Sequence, residues 1–256
     1  MIEVESVSKH FVARDNNRVA ALTDVSISIQ RNEFVCLVGP SGCGKSTLLR
    51  LVGGLLPVSR GRVVINGETV REPRAKTGIV FQSPTLLPWA SVLDNVLFPL
   101  KIARRLASDS TEHARSLLKL VGLDGFENRY PRELSGGMQM RAGVCRALVH
   151  DPDILLMDEP FSSLDALTRE ELTLELMRIW REQPKTVLFV THSIPESVML
   201  ADRVVVLTAR PGRVADIVSV NVPRPRKFGM EARDEFQTAA NRIRQLIFGA
   251  GRISSH

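Results

Sequence analysis

Residues 39–47 read Gly39-Pro40-Ser41-Gly42-Cys43-Gly44-Lys45-Ser46-Thr47, with Gly39, Gly44, Lys45 and Ser46 at the spacing of a G-x-x-x-x-G-K-[ST] phosphate loop. Glycines accept positive φ without a Cβ clash, so such a loop can wrap phosphate oxygens closely and turn its N–H groups inward. A helix N-terminus behind the loop adds positive potential. Lys45 would then sit over the β- and γ-phosphates, and the Ser46 hydroxyl would ligate Mg²⁺. The flanking runs fit that purpose: Glu33–Val38 is a short apolar strand and Thr47–Val52 opens a helix. The segment predicts a site for a nucleoside triphosphate.

A second run carries carboxylates. Ile154-Leu-Leu-Met-Asp-Glu159 reads as a buried strand ending in two acids, followed by Pro160 and the turn Ser162–Asp165. Asp158, at the strand's carboxyl end, is placed to hold Mg²⁺ through water opposite Ser46. Glu159 is the candidate general base for an attacking water. Between the two runs, Leu134-Ser-Gly-Gly-Met138 opens a helix that extends to about His150. Ser135 can cap it, and Gly136 and Gly137 leave backbone N–H groups open to an anion.

The elements that must position these residues are legible from periodicity. Residues 1–38 read as short strands with turn signals at Arg14–Asn17 and Gln30–Asn32, and further strands fall at Gly61–Asn66 and Gly78–Gln82. From Ser91 to His150 the apolar spacing turns helical: Leu93, Val96, Leu97 and Leu100, then Leu117, Leu118 and Val121. Strands return at Ile154–Met157, Thr186–Thr191 and Val204–Leu207, alternating with helices. Alternation around a phosphate loop predicts an α/β P-loop core with a parallel sheet. The helical block at about 90–150 would be a subdomain inserted into it, and the N-terminal strands an antiparallel β region. The expected domain spans 1–222, with 223–256 a Pro/Arg-rich and then helical tail. In that tail Phe236, Ala240, Ile243 and Ile247 recur at helical spacing, one face to bury.

Composition narrows the classes. The 256 residues are 44% hydrophobic and 24% charged, as in an ordinary globular chain with a sizeable core. No apolar run approaches the roughly 18 residues of a membrane span, and the N-terminus lacks the basic start and apolar stretch of a signal peptide. The chain is expected in the cytosol. Cys36, Cys43 and Cys145 show neither zinc-ligand spacing nor an even disulfide set, and read as reduced apolar residues. The net charge of +6 is assigned to solvated basic faces and a basic tail rather than to a nucleic-acid surface.

The order of these motifs resembles the nucleotide-binding subunit of an ATP-binding cassette (ABC) transporter. The match runs through Gly39–Thr47 as Walker A, Gln82 as the Q-loop glutamine and Leu134–Met138 as the signature. It continues with Ile154–Glu159 as Walker B, Ser163-Leu-Asp165 as the D-loop and His192 as the switch histidine, and it covers residues 1 to about 222. The resemblance implies ATP and Mg²⁺, with Gln82 touching metal or water and His192 hydrogen-bonding the γ-phosphate. It also implies a head-to-tail dimer of two copies, in which Ser135, Gly136 and Gly137 bind the opposite subunit's γ-phosphate and Asp165 meets the facing phosphate loop. Phe11 falls where the family stacks an aromatic on adenine; as a strand residue it is equally a core candidate. The chain departs from the family at Met138-Gln-Met-Arg141, where the usual signature continues Gln-x-Gln-Arg.

Three further segments look like the nitrate, sulfonate, taurine and bicarbonate importers: Ser83–Val96, Thr208-Ala-Arg-Pro-Gly-Arg213 and Val222-Pro-Arg-Pro-Arg226. Within the first, Leu86-Leu-Pro-Trp89 is either a groove for a membrane-subunit helix or ordinary core filling. The reading that follows is a peripheral ATPase on the cytoplasmic face of a membrane. It would drive transmembrane permease subunits, indirectly serve a periplasmic or extracellular solute-binding protein, and bind no nucleic acid. The alternatives are an ABC exporter subunit, a soluble ABC ATPase working on DNA or ribosomes, and a nucleotide-gated module without turnover.

Overall fold

The computed structural model describes residues 1–12, 17–162 and 164–249. Arg14, Asp15 and Asn16 of the first expected turn, Ser163 of the expected D-loop and the tail beyond Gly249 lie outside them. The chain divides into two compact units, one formed by Met1–Arg74 with 186–256 and the other by Ala75–Lys185.

The first unit contains β1 (Ile2–Val12), β2 (Arg18–Ile29), β3 (Phe34–Val38), α1 (Lys45–Val52), β4 (Arg60–Ile65) and β5 (Glu68–Thr69). After the second unit the chain returns with β8 (Thr186–Val190), α6 (Ile194–Leu200), β9 (Arg203–Leu207), β10 (Val214–Ser219) and α7 (Asp234–Gly249). Strands β1 and β2 are long, not the short strands expected. They pair antiparallel with Ile2 opposite Ile29 and Val4 opposite Ile27, in a sheet ordered β2-β1-β4-β5. Alternation explains the register, because Ile2, Val4, Ile27 and Ile29 share a buried face.

The second sheet of this unit runs β10-β9-β3-β8. Both neighbours of β3 are parallel to it, with Val35 opposite Leu188 and Cys36 opposite Val204. All five residues of β3 and of β8 are buried, the continuous apolar reading of a parallel strand covered on both faces. Strand β10 adds an antiparallel edge that the sequence did not announce. Helix α7 buries Phe236, Ala239, Ala240 and Ile243 and packs on α6, β9 and β10.

The second unit contains β6 (Thr77–Val80), α2 (Val92–Ile102), α3 (Ser110–Leu120), α4 (Gly136–Leu148), β7 (Ile154–Asp158) and α5 (Ala166–Glu182). Strands β6 and β7 are parallel, Ile79 opposite Leu156. Helices α2, α3 and α4 pack on one another, and α4 also packs on β6. No helix among the described residues is long and apolar enough to cross a membrane.

Candidate functional site

The phosphate loop is set by the strand beneath it. Buried on both faces, β3 delivers the chain to Gly39, and a turn closed by Cys43 N–H donating to Pro40 O (3.3 Å) leads into α1. Gly44 is the N-cap of α1 at φ 102°, a left-handed conformation unfavourable to any residue with a Cβ. There is no room for one either, since a Cβ would lie 2.7 Å from Leu22 Cδ2. Glycine brings no side-chain cap, so the amino end of α1 starts on backbone donors with no cap hydrogen bond from Gly44. That is the donor arrangement a phosphate accepts. Lys45 is buried, and its ammonium donates to Gly39 O (3.0 Å) and Pro40 O (3.2 Å), lying against the loop. Ser46 is half-buried in the first turn of α1.

The loop has a backing that sequence reading missed. The β9–β10 connection, noted only as a branch mark, brings Gly212 onto the phosphate loop. Gly212 N–H donates to Ala21 O (2.9 Å) and its carbonyl accepts from Thr23 N–H (3.0 Å). A Cβ at Gly212 would stand 2.1 Å from the Cys43 carbonyl oxygen. The available signal was the Pro-Gly pair between two strands, which announces a turn but not what the turn presses against.

His192 is exposed two residues beyond β8. Thr191 Oγ1 accepts from Ser193 N–H (2.9 Å), and Ser193 caps α6 by accepting from Glu196 N–H (3.3 Å). Phe11 is not a core residue: it is 38% exposed, with the Lys9 ammonium 5.2 Å from its ring centroid. The surface position makes the ring accessible to a stacking partner, with the Lys9 ammonium over one face.

In the second unit, the five buried residues of β7 end at Asp158, itself 5% exposed. Glu159 is half-buried and sits at φ 46°, a left-handed conformation that costs an ordinary residue about 1–2 kcal/mol. A local network holds it. Ser162 donates to Glu159 O through its N–H (3.2 Å) and its hydroxyl (2.9 Å), and Gln82 Nε2 donates to Ser162 Oγ (3.2 Å). The structure thus joins the glutamine and the candidate base through one serine, a link no sequence signal announced. Strand β6 ends at Val80, so Gln82 stands in the loop beyond it.

Ser135 caps α4, its hydroxyl oxygen accepting from Met138 N–H (3.3 Å) while the hydroxyl hydrogen can still be donated. Ser135 and Gly136 are exposed, whereas Gly137 is buried where a Cβ would meet Thr168 Cγ2 at 2.7 Å. Asp165 caps α5 on the same threonine, Oδ1 accepting from Thr168 N–H (3.0 Å) and Oδ2 from its hydroxyl (2.7 Å). Those bonds, the backbone one first, hold its carboxyl below the usual range. The expected signature and D-loop residues therefore share one contact residue. Of the two unusual methionines, Met140 is buried and Met138 half-buried.

The loop after Gln82 is pinned from two helices. Arg146 of α4 donates to Pro84 O (2.6 Å) and Thr85 O (2.9 Å). Buried Asn95 of α2 accepts from Leu87 N–H (2.6 Å) and donates to Leu87 O, Ala90 O and Ser91 O. The pinned loop presents Trp89 at 75% exposure, with Leu86 and Leu87 half-buried. Core filling is thereby excluded for the tryptophan.

All three cysteines are buried and none is in a disulfide. Burial pushes the Cys36 and Cys145 thiols well up, so neither is a thiolate nucleophile. Among the described residues no cluster of three or more His, Cys, Asp or Glu side chains could hold a metal ion. The expected donors, Ser46 in the first unit and Gln82 and Asp158 in the second, each offer oxygen, the hard ligand type that suits Mg²⁺.

A loop of this build at the end of a buried parallel strand defines an α/β P-loop nucleotide-binding protein. Residues 22–162 match the family model described as ABC transporter. An uncharacterised ABC transporter ATP-binding protein of Methanocaldococcus jannaschii is 50% identical over 225 residues, 88% of this chain and 84% of the relative. The taurine import ATP-binding protein of Rhizobium johnstonii is 50% identical over 214 residues, covering 84% and 82%. The aliphatic sulfonates import ATP-binding protein of Bacillus cereus is 37% identical over 254 residues, covering 99% and 98%. Among solved structures, a dimeric ATP-binding cassette in a post-hydrolysis state bound to ADP and Pi matches with TM-score 0.77 at 31% identity, over 87% of this chain and 100% of that one. The chain belongs to the ABC transporter family and carries its ATPase domain.

Proposed function

We propose that this chain is the ATP-hydrolysing subunit of an ABC importer for a small anion, with taurine and other sulfonates foremost, then nitrate or bicarbonate. The observation that carries the reading is the near full-length similarity to taurine and sulfonate import ATP-binding proteins. Two copies would meet head to tail around ATP, a reading supported by the dimeric state of the similar cassettes. The assembly would be peripheral on the cytoplasmic face of the membrane, driven by nucleotide and bound to permease subunits that a solute-binding protein loads.

In this mechanism residues 39–47 cradle the phosphates with backbone N–H groups, and Lys45 neutralises the β- and γ-phosphates. Ser46, Asp158 and Gln82 would hold Mg²⁺, which when bound supplies charge neutralisation across the phosphate oxygens. Glu159 takes the proton of the attacking water, and His192 hydrogen-bonds the γ-phosphate. Ser135, Gly136 and Gly137 act on the partner copy's γ-phosphate, and Asp165 contacts the partner copy's phosphate loop. Phe11 stacks on adenine. Trp89, with Leu86 and Leu87, is the apolar contact for the permease: an exposed tryptophan on a loop pinned by Asn95 and Arg146 suits a hot spot.

The test is to purify the chain with its native membrane partners and measure ATP hydrolysis while presenting taurine, alkanesulfonate, nitrate or bicarbonate through the solute-binding protein. Stimulation by one of these anions is the expected result. Stimulation only by a lipid or peptide would replace the importer reading with an exporter.

A further inference from the structure

The Val222-Pro-Arg-Pro-Arg226 segment has no part in the chemistry above, and the sequence offered it only as a branch mark at the start of a basic tail. The structure shows where its arginines go. Arg226 is 5% exposed, and its guanidinium is spent on main-chain carbonyls. Nη1 donates to Val198 O (2.9 Å), Met199 O (3.1 Å) and Ala201 O (2.7 Å), Nε to Val222 O (3.0 Å) and Nη2 to Val220 O (3.4 Å). Burial lowers its pKa to about 10, which leaves it charged at neutral pH. Arg224 completes the arrangement, donating to Leu200 O (2.6 Å) and to Asp202 Oδ1 (2.8 and 3.1 Å). Asp202 in turn accepts from Phe34 N–H at Oδ2 (2.9 Å), at the start of the strand that ends in the phosphate loop.

Every helix leaves its last carbonyls without intrahelical partners. In α6 those of Val198, Met199 and Leu200 are all taken by the two guanidinium groups, whose positive charge also suits a helix C-terminus. At seven residues α6 is too short to be stable by itself, so its position is set by what holds it. Its carboxyl end is held by the arginines. Its amino end, about 10 Å away at 1.5 Å per residue, begins at Ser193, next to His192.

We propose that Arg226, assisted by Arg224, is a positioning residue for His192, clamping the far end of α6 to the chain's final segment so that the near end presents the histidine. The inference rests on the reading of His192 as the γ-phosphate contact. It gives the basic segment before α7 a task in hydrolysis through main-chain carbonyls and Asp202.

The experiment uses the full chain with Arg226→Met, Arg226→Lys and His192→Ala. For each, ATP affinity is titrated at equilibrium, steady-state hydrolysis is measured per folded molecule, and the imidazole resonances are recorded by NMR, with His192→Ala giving the assignment. Arg226→Met is expected to lower kcat about tenfold, as misplacement of a catalytic group does. Its ATP Kd should stay within about twofold, since the phosphate loop is untouched, while the His192 resonance shifts or broadens. Arg226→Lys should recover part of the loss by returning charge to the carbonyls, and it carries the test if the methionine variant does not fold. A wild-type kcat and an unmoved His192 resonance in folded Arg226 variants would overturn the inference and leave only a stabilising role. Full hydrolysis by His192→Ala would overturn the role given to His192, a failure separate from that of the clamp, which the histidine resonance reports independently.

Discussion

Gly212→Ala probes the link between the β9–β10 connection and the phosphate loop. Gly212 is outside the positive-φ region, so alanine brings no backbone penalty and the effect is purely steric. Its Cβ would stand 2.1 Å from Cys43 O, whereas a close carbon–oxygen contact is about 3.3 Å, so one backbone must move by about 1.2 Å. Gly212 is tied to Ala21 and Thr23 by two main-chain hydrogen bonds, each worth about 1 kcal/mol net. The phosphate loop at Cys43 therefore absorbs part of the shift. Overpacking of this kind costs about 1–3 kcal/mol, which for a chain of this length lowers Tm by roughly 2–12 °C. A displacement near 1 Å in a positioning element costs up to about a hundredfold, so Kd for a non-hydrolysable ATP analogue should rise at least tenfold. Calorimetric titration and thermal unfolding without nucleotide measure both. Gly42→Ala is the comparison: at φ 72° with no atom within 4 Å of the added Cβ, it should cost only the left-handed penalty of about 1–2 kcal/mol. An unchanged affinity and Tm in Gly212→Ala would refute the claim that this glycine backs the loop.

Glu159→Gln keeps shape and backbone but cannot accept the water's proton; hydrolysis should fall by about two orders of magnitude or more, with ATP still bound and a nucleotide-stabilised dimer visible by light scattering. Near-normal turnover would remove Glu159 from the role of base. Lys45→Ala should weaken ATP-analogue binding itself. Mixed with Ser135→Arg chains it should regain activity over either homodimer, because one composite site is then intact; no recovery in verified mixed dimers would point to a signature acting within its own chain or to strict coupling of the two sites. Trp89→Ala, at a position 75% exposed, should leave stability within about 0.5 kcal/mol and basal hydrolysis unchanged. In a pull-down with the permease subunits it should reduce affinity by about 2 kcal/mol, roughly thirtyfold; wild-type binding would place the docking surface elsewhere.

What the sequence determined by itself is whatever is encoded among near neighbours. The phosphate loop is legible because glycine, lysine and serine at fixed spacing carry both the turn and the ligand chemistry in nine residues. The Ser135 cap, the buried β7 ending in acids and the α7 face of Phe236, Ala240 and Ile243 are likewise local, resting on intervals of two to four residues. Tertiary structure decided the rest. Gly212 backs a loop far away in the sequence, and only the pairing of β9 with β3 brings it there. Sequence placed Arg226 only in a basic tail; the open carbonyls at the end of α6 give its buried guanidinium enough acceptors to stay charged. The sequence left Trp89 between a docking groove and core filling; it is exposed because Asn95 and Arg146 take up the loop's polar backbone and leave the indole outside. The left-handed backbone of Glu159 is held by Ser162 and stands beside Gln82, partners that meet only once β6 and β7 lie side by side. Short-range pattern writes motifs and elements, whereas burial and hydrogen-bond satisfaction across long sequence separations are properties of the packed chain.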